Sequence, residues 1–476
     1  MPVIFINGEA VETGEHRTVL QAALANGFYV PHFCWHPELS IVGNCRVCVV
    51  EQEGRGVNIA CNMPVVDGMR VQTDSEPVRA QRKAMLQFIL LNHPVDCGIC
   101  DKAGECTLQD YHYAYNGEPA LSQDPKLHST KFYPLSDRII LDNERCILCS
   151  RCVRFTREVS QSNVLGIEYR GDSALVRPAE DRTLDDDPYS DNVIDICPVG
   201  ALLSRSFLYQ ARAWYLEPTP SVCPGCARGC TVQLWHRKPE WRVKGLDPRH
   251  NTRILRVTPL ENPRVNGPWI CNKGRDLGGA LERPRAEVAM LKGEPVTTTR
   301  AIEAARELIR ASGRRVALVS SGGSNEELRA FHSALVANFT TFVKPDHLPQ
   351  DGEVVEDDLL IRADKNPNTR AARSLFGDSP TEISADTELV LVWGEGADFG
   401  AFPRGAKIVL LGSWLAPENG YADVFIPLSI QTERRGHYTN FQGVVSAFEP
   451  CCWRPDGVID AETLFPLLAA PPGSTA

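Results

Sequence analysis

The sequence has no apolar run close to the roughly 18 residues that a membrane-spanning helix needs. It also has no excess of basic residues: Lys and Arg number 50 against 60 Asp and Glu, and the net charge is −10. A nucleic-acid-binding surface is therefore not expected. The opening stretch MPVIFINGEAVETGEH lacks the basic region and apolar core of a secretory signal, so we expect an intracellular chain. No G-x-G-x-x-G follows an apolar strand, which argues against a dinucleotide site of that type.

The sequence does contain 476 residues, 43% of them apolar, enough for several domains with cores of their own. It also contains 17 cysteines. In a reducing compartment these do not form a disulfide framework, so metal ligation is their leading use. Their spacing places all but two in four sets. The adjacent pair Cys451 and Cys452 has no partners, and we expect it to be packing or incidental.

Local patterns predict several elements of the N-terminal part of the chain. Asn7-Gly8 between two extended stretches predicts a hairpin. Thr18 can cap a following helix, and Gly27 suits its end. A longer helix is predicted over residues 77–91, with an apolar face formed by Val78, Met85, Phe88, Ile89 and Leu91. The acidic segment 179–192 is expected to be a solvated loop.

The first cysteine set, C-x10-C-x2-C-x12-C, has three thiols near one another and a fourth shortly after them. This order is similar to plant-type [2Fe–2S] ligation, although the first spacing is longer. His32 and His36 flank the first cysteine and leave a mixed site as an alternative. Four available thiolates favour an all-cysteine site, with the histidines as ordinary surface or supporting residues. The set is Cys34, Cys45, Cys48 and Cys61.

The third set has the most specific spacing, C-x2-C-x2-C followed by a remote C-P. This pattern is typical of bacterial ferredoxins, where a tight turn presents three thiolates to a [4Fe–4S] cluster, whereas zinc sites rarely place three cysteines so closely. Nearby arginines should raise the potential of an anionic cluster, although solvated arginines on a helix face are the plainer interpretation of any one. The cysteines are Cys146, Cys149, Cys152 and Cys197, and the arginines are Arg145, Arg151, Arg154 and Arg157.

The fourth set, C-x2-C-x3-C followed by a remote cysteine, is compatible with zinc at its first pair. Its third nearby cysteine favours a [4Fe–4S] cluster. This set is Cys223, Cys226, Cys230 and Cys271.

The second set, Cys97, Cys100 and Cys106, lacks a fourth thiol. Asp96 adjoins Cys97 too closely to reach another corner of a cluster easily. His93 lies shortly before Asp96, where a helix is expected to end, and imidazole is an accepted iron ligand. A lone histidine at a helix end is usually structural. The missing ligand nevertheless favours His93 as the fourth ligand.

The order of these sets, H-x3-C-x2-C-x5-C included, resembles the large iron–sulfur subunit of respiratory complex I, NADH:quinone oxidoreductase. This resemblance implies one [2Fe–2S] cluster on the first set and three [4Fe–4S] clusters on the others, with His93 as a ligand of the second. The fourth set matches an additional cluster of some bacterial members that is thought to lie off the main electron route.

The region from about residue 216 resembles molybdopterin-dependent oxidoreductases, and residues 431–450 are similar to a stretch near the end of their catalytic core. The region is short for that family, and it has no convincing metal-ligating Ser or Cys. The turn SSGGSNEE, residues 320–327, could be a residual phosphate-binding turn, but a simple strand-to-helix turn is favoured. No molybdopterin is therefore expected.

The expected fold is a series of α+β ferredoxin-type domains followed by an α/β domain with a mostly parallel sheet, because helices and strands alternate after residue 298. Its predicted domains are a [2Fe–2S] domain (1–80), a helical His/Cys3 domain (81–138), a ferredoxin-like domain (139–215), a small [4Fe–4S] domain (216–285) and a shortened α/β domain (286–476).

By the resemblance, the chain passes single electrons and has no catalytic acid, base or nucleophile. Its partners would be an NADH-oxidising flavin subunit and other peripheral-arm subunits, on the cytoplasmic side of a bacterial inner membrane that it meets only through the complex. One alternative is an electron-transfer subunit of an NAD-linked hydrogenase or formate dehydrogenase. Another is a zinc-stabilised scaffold protein.

Overall fold

The structure is a computed structural model that describes residues 2–122, 124–179, 182–377 and 383–471. The chain divides into two compact units, Met1–Tyr215 and Leu216–Ala476, and each combines helices with sheets. None of the helices in those described ranges is both long and apolar enough to cross a membrane. The finer division into five domains stays a prediction.

A five-stranded sheet opens the first unit, and in sheet order its strands are Glu9–Glu12, Val3–Ile6, Arg70–Gln72, Val49–Gln52 and Gly56–Ile59. The predicted hairpin is confirmed, because Asn7 and Gly8 have φ values of 54° and 92° between antiparallel strands. Thr18 caps the helix Val19–Ala25 through a capping box with Gln21, and Gly27 follows with a φ of 81°. This sheet and helix enclose the core of the domain.

The next helix, Glu76–Leu90, exists as predicted but buries a different face. Its buried side chains are Val78, Arg82, Leu86 and Gln87, whereas Phe88 is 69% exposed and Met85, Ile89 and Leu91 are only partly buried or exposed. The predicted apolar face is therefore wrong except for Val78, which is buried. Arg82 explains the difference, because its guanidinium donates to the carbonyls of Val49 and Thr73 and so satisfies its charge inside the unit.

The remaining elements of this unit surround the cysteine loops. The helices are Thr107–Tyr111, continued by a π-helical turn His112–Asn116, and Arg151–Glu158 and Asn192–Ile196. A three-stranded antiparallel sheet contains Tyr133–Pro134, Ile139–Leu141 and Leu202–Ser204, and a hairpin contains Leu165–Glu168 and Leu175–Pro178.

The acidic segment 179–192 is solvated only in part. Arg182, Asp185 and Asp186 are exposed, but the prediction is wrong for the second half, residues 187–192. Leu184, Asp187 and Asp191 are buried. The Asp187 carboxylate accepts hydrogen bonds from Ser160 and Ser162, and Asp191 pairs with Arg138 at 2.6 Å. Hydrogen bonds and an ion pair thus offset the cost of burying these carboxylates. Residues 180 and 181 lie outside the described ranges.

The second unit begins with an antiparallel sheet of Leu216–Val222, Thr231–Arg237 and Arg256–Pro259. Short helices follow at Pro248–Asn251, Asn272–Arg275 and Leu277–Ala280. The fourth cysteine set lies on the loops of this region.

A seven-stranded sheet forms the core of the second unit. Its strands, in sheet order, are Glu294–Val296, Ala289–Leu291, Val424–Pro427, Lys407–Gly412, Leu389–Trp393, Arg315–Ser320 and Thr340–Lys344. The last five run parallel, and the first two form an antiparallel hairpin at one edge. Leu389–Trp393 is buried along its whole length, as expected for a central strand covered on both faces.

Helices cover this sheet at Thr298–Ala311, Asn325–Leu335, Thr369–Phe376 and Ala461–Ala469, with a short helix at Glu418–Tyr421. Within the shared core the rings of Phe331 and Trp393 stack, and the ring of Phe465 packs edge-to-face against both. A separate hairpin, Gly436–Thr439 with Val445–Phe448, lies in the stretch that resembles molybdopterin enzymes. The alternating helices and strands predicted after residue 298 are thus present.

Candidate iron–sulfur sites

The four thiols of the first set lie together. The thiols of Cys45 and Cys61 form hydrogen bonds to the sulfur of Cys34, which lowers the pKa of the Cys34 thiol. The Cys61 thiol also forms a hydrogen bond to the sulfur of Cys48, which lowers the pKa of the Cys48 thiol. Three of the four are buried and Cys45 is half-buried. A continuous group of four thiols at one end of a small sheet is the donor set that a [2Fe–2S] cluster requires.

The flanking histidines are engaged with the backbone. The His32 ring lies 2.8 Å from the Val30 carbonyl, and the His36 ring accepts a hydrogen bond from the backbone N–H of Glu38. Burial, with a smaller contribution from Arg151, lowers the pKa of His36 to about 4. Both rings therefore have partners outside the group of thiols, which favours the all-cysteine interpretation over the mixed one.

The third set surrounds a cavity of about 20 Å³, lined by all four of its cysteines and by apolar residues that include Leu141, Val176, Val199 and Leu202. Burial and then neighbouring thiols raise the pKa of Cys146 to about 12 and that of Cys149 to about 11. The backbone N–H of Leu148 points at the Cys146 sulfur from 3.4 Å. Three buried thiols and one half-buried thiol converge on one mostly apolar cavity. This arrangement fits a [4Fe–4S] cluster, since the cluster binds thiolates and benefits from N–H donors to sulfur.

Local backbone conformation explains this convergence. Leu148 and Ser150 have positive φ values of 52° and 58° between the closely spaced cysteines, so the chain curls tightly before the helix Arg151–Glu158 begins. Cys197 comes from the end of another helix, Asn192–Ile196.

The fourth set is also assembled. Cys223 and Cys230 are buried, and Cys226 and Cys271 are half-buried. Burial first, and then the other three thiols of the set, raise the pKa of Cys230. A Cβ added at Gly274 would lie 3.4 Å from the Cys223 sulfur, so the backbone here approaches the thiol closely. These four donors likewise fit a cubic cluster.

The second set is the least enclosed. Cys100 is buried, Cys106 is half-buried and Cys97 is exposed. His93 is half-buried, and burial followed by the charges of Arg145 and Lys126 lowers its pKa to about 4. In the described ranges the imidazole makes no hydrogen bond to these thiols, so its role as a ligand stays a prediction.

Asp96 is held elsewhere, because it pairs with Lys131 at 2.5 Å and with the buried Arg145 at 3.1 Å. These two ion pairs agree with its exclusion as a ligand.

Supporting contacts around the second set were not predicted from the sequence. The Thr107 N–H donates to the Pro198 carbonyl at 3.1 Å, which ties this set to the loop after Cys197. A Cβ at Gly200 would overlap the Cys100 sulfur. Arg212 donates to the carbonyls of Cys100 and Gly98. Gly200 was the one sequence signal for these contacts, because the contacting residues are far apart along the chain.

The four arginines near the third set differ in position. Arg145 and Arg154 are buried, and Arg151 is half-buried with hydrogen bonds to the carbonyls of Trp35 and Ile196. The side chain of Arg157 is 59% exposed and pairs with Glu158. The solvated interpretation therefore applies to this last arginine alone.

Two further features belong to the second unit. The sulfurs of Cys451 and Cys452 are 3.9 Å apart, and both backbone N–H groups donate to the Thr432 carbonyl. Cys452 borders a cavity of about 400 Å³.

Across the described residues, no three His, Cys, Asp or Glu side chains form a site for a single metal ion.

The turn SSGGSNEE already has an internal anion. The carboxylate of Asp346 accepts hydrogen bonds from the Gly322 N–H at 2.9 Å and from the Ser320 hydroxyl, and it pairs with Lys344. Ser324 and Glu327 form a capping box at the start of the following helix. The donors that a phosphate would use are thus occupied, which favours the simple turn.

Comparison with protein families gives four matches along the chain. They are a 2Fe-2S iron-sulfur cluster binding domain at residues 3–76, an NADH-ubiquinone oxidoreductase-G iron-sulfur binding region at 82–118, a ferredoxin-like domain of NADH-quinone oxidoreductase subunit 3 at 136–203, and a molybdopterin oxidoreductase Fe4S4 domain at 216–282. Each match covers one of the four cysteine sets.

Curated relatives carry related names. NADH dehydrogenase [ubiquinone] iron-sulfur protein 1 of Solanum tuberosum is 36% identical over 61% of this chain and 37% of its own length. The NADH-ubiquinone oxidoreductase 75 kDa subunit of Reclinomonas americana is 36% identical over 61% of this chain and 40% of its own length. A subunit of NADH-quinone oxidoreductase from Streptomyces coelicolor is 32% identical over 67% of this chain and 37% of its own length. The chain thus spans about two fifths of the length of these relatives.

Among solved structures, a chain of an NAD+-reducing [NiFe]-hydrogenase in the H2-reduced state is 33% identical, with 44% of this chain and 90% of that chain covered and a TM-score of 0.40. The names of the family matches and of the curated relatives are all those of iron–sulfur domains or of oxidoreductase subunits. Over about three fifths of its length, the chain is a homologue of the large iron–sulfur subunit of NADH:quinone oxidoreductase.

Proposed function

We propose that this chain is an electron-transfer subunit of an NADH:quinone oxidoreductase of the complex I type. One observation carries the proposal: three of the four cysteine sets lie in one compact unit, and hydrogen bonds connect the loops of the third set to those of the first and the second. Iron–sulfur clusters exchange one electron at a time, and they can therefore connect a two-electron hydride donor to a two-electron quinone acceptor.

The proposed ligands follow the four sets. A [2Fe–2S] cluster takes the first set, and [4Fe–4S] clusters take the second set with His93, the third set and the fourth set. The engagement of Asp96 with Lys131 and Arg145 supports His93 as the fourth ligand of the second set, because it removes the carboxylate next to Cys97 as a competing ligand. The five predicted domains, at residues 1–80, 81–138, 139–215, 216–285 and 286–476, then each have a role, the last being to support the fourth set.

The side chains of this protein would hold and tune these centres rather than take part in bond-making. Apolar residues such as Leu141 and Val199 keep water from the third set. Buried guanidinium groups place positive charge near anionic sites, and the Leu148 N–H offers a hydrogen bond to a ligand sulfur. Both effects raise the potential of an iron–sulfur centre.

The partners of the chain would be a flavin subunit that oxidises NADH and the other subunits of a peripheral arm. Quinone reduction and proton pumping would belong to other subunits, and the arm would lie on the cytoplasmic side of a bacterial membrane. The occupied turn at Gly322 supports a second unit without molybdopterin.

Anaerobic purification of the complex that contains this chain, followed by metal analysis and redox-titrated EPR, tests the proposal. We expect iron and sulfide, with signals from one [2Fe–2S] and three [4Fe–4S] centres, and a flavin subunit in the same complex. Zinc without iron would support a scaffold protein instead. Nickel in the complex would favour the NAD-linked hydrogenase.

A further inference from the structure

The guanidinium of Arg154 connects two cysteine loops that are far apart in the sequence. Arg154 lies on the helix Arg151–Glu158, and only 3% of the residue is exposed. One terminal nitrogen, Nη2, donates to the backbone carbonyl of Cys34 in the first set and, at 3.3 Å, to that of Cys149 in the third. The same nitrogen thus contacts a ligand residue of each set.

The other nitrogens of Arg154 fix the plane of the group. Nη1 donates to the carbonyl of Ser40, on the loop of the first set, and Nε donates to the Ser150 hydroxyl at 3.3 Å, on the turn of the third. A lysine could not reproduce this arrangement, because its ammonium group is a point charge on a flexible stem.

The charge of Arg154 faces neutral oxygen atoms. Its hydrogen-bond partners are three backbone carbonyls and one hydroxyl. The cation is therefore not consumed by a direct ion pair, and it remains buried beside two groups of thiols that become anionic when they bind iron. Burial weakens screening by solvent, so the charge acts on both groups.

We propose that Arg154 is a positioning residue that fixes the separation of the [2Fe–2S] and the neighbouring [4Fe–4S] centre and raises the potential of both. This inference rests on the proposed function. Other contacts join the same loops: the Asn44 amide donates to the Leu148 carbonyl at 2.9 Å, and Ser40 donates to Glu158 at 2.7 Å. Because these contacts remain, variants of Arg154 are expected to fold.

The test compares Arg154→Gln and Arg154→Lys with the control Arg157→Gln, in the assembled complex. Arg157 lies on the same helix, but its side chain is exposed. Two quantities are measured by EPR: the midpoint potential of each centre, and the spin–spin broadening between the two reduced centres, which reports their separation. A purely structural role for Arg154 would leave the potentials unchanged.

We expect Arg154→Gln to lower the potentials of both centres and to change the spin–spin broadening, while the fourth centre stays unchanged. Arg154→Lys should restore the potentials but not the broadening. Arg157→Gln should match the wild type in both. Wild-type potentials and broadening in both Arg154 variants would overturn the inference. If Arg154→Gln loses one of the two centres, the spin–spin broadening measured in Arg154→Lys decides whether the inference holds. Absence of the centres from the wild type would instead contradict the proposed function.

Discussion

The side-chain amide of Gln431 donates to the Val222 carbonyl at 2.6 Å and to the Ser221 hydroxyl at 3.0 Å. Val222 immediately precedes Cys223, so a residue far along the chain holds the strand that leads into the fourth cysteine set. The loop of that set receives similar support, since the Ala227 N–H donates to the backbone carbonyl of Asp364 and the Ala227 carbonyl accepts a hydrogen bond from the Phe441 N–H. The C-terminal region thus supports the fourth set directly.

Gln431→Ala is therefore expected to weaken the fourth centre selectively. The change leaves two buried acceptors without their donor, which costs about 1–3 kcal/mol. We expect a lower free energy of unfolding and reduced occupancy of the fourth centre, measured by denaturant unfolding and by EPR and iron content. The control is Gln442→Ala, because Gln442 is exposed and uses only its backbone N–H for its hydrogen bond to Asn440. Equal effects of the two changes would contradict this prediction.

His93→Ala should abolish or alter the EPR signal of the second centre and leave the other three in place, because the cluster would lose one of four ligands. His93→Cys should retain the centre at a lower potential, since histidine ligation raises the potential relative to thiolate. His128→Ala is a matched control, because the His128 side chain is 83% exposed and pairs with Glu144. A second centre with an unchanged signal in His93→Ala would refute the ligand role.

Gly200→Ala tests the close packing between the second and third sets. The added methyl group would overlap the Cys100 sulfur and lie 3.2 Å from the Cβ of Lys102. Overpacking of this kind costs about 1–3 kcal/mol. We expect weaker iron retention at the second set, whereas Gly166→Ala, where nothing lies within 4 Å of the added carbon, should behave as wild type. Iron release during mild chelation compares the two, and identical rates would exclude the packing argument.

Glu327→Gln tests a buried ion pair of the second unit. The Glu327 carboxylate contacts Arg434 at 2.9 Å, and their side chains are 4% and 12% exposed. Removal of Glu327 leaves the buried Arg434 cation without its direct ion-pair partner, so the free energy of unfolding should fall by about 3–5 kcal/mol. Glu307→Gln is the control, because the Glu307 side chain is 70% exposed. Denaturant unfolding of both variants measures the difference, and a similar small loss in both would contradict the prediction.

Patterns confined to short stretches of sequence predicted structure well. The Asn7-Gly8 hairpin, the Thr18 cap and the alternation after residue 298 depend on neighbours within a few residues, and each is present. The helix over residues 77–91 shows the limit of such reasoning. Apolar periodicity assigns an arginine to solvent, whereas Arg82 is buried because Val49 and Thr73 accept its hydrogen bonds.

The candidate sites show the same limit. Cysteine spacing sorted the thiols into sets. Within the first set, within the third and within the fourth, the structure places the four cysteines close to one another. Contacts between sets depend on partners far apart in the chain, such as Gly200 with Cys100 and Arg154 with Cys34. No single motif predicts these contacts, so they can be identified only from the folded structure.

The carboxylate of Asp346 gives the large sheet a further property. It lies beside the strand-to-helix turn at the end of Arg315–Ser320. Open parallel sheets commonly bind their ligands at this end of the strands. An incoming phosphate would have to displace this resident side chain and separate it from Lys344. The chain itself thus supplies the anion that the turn binds, so a side chain fills the position that a small anionic ligand would need at that edge.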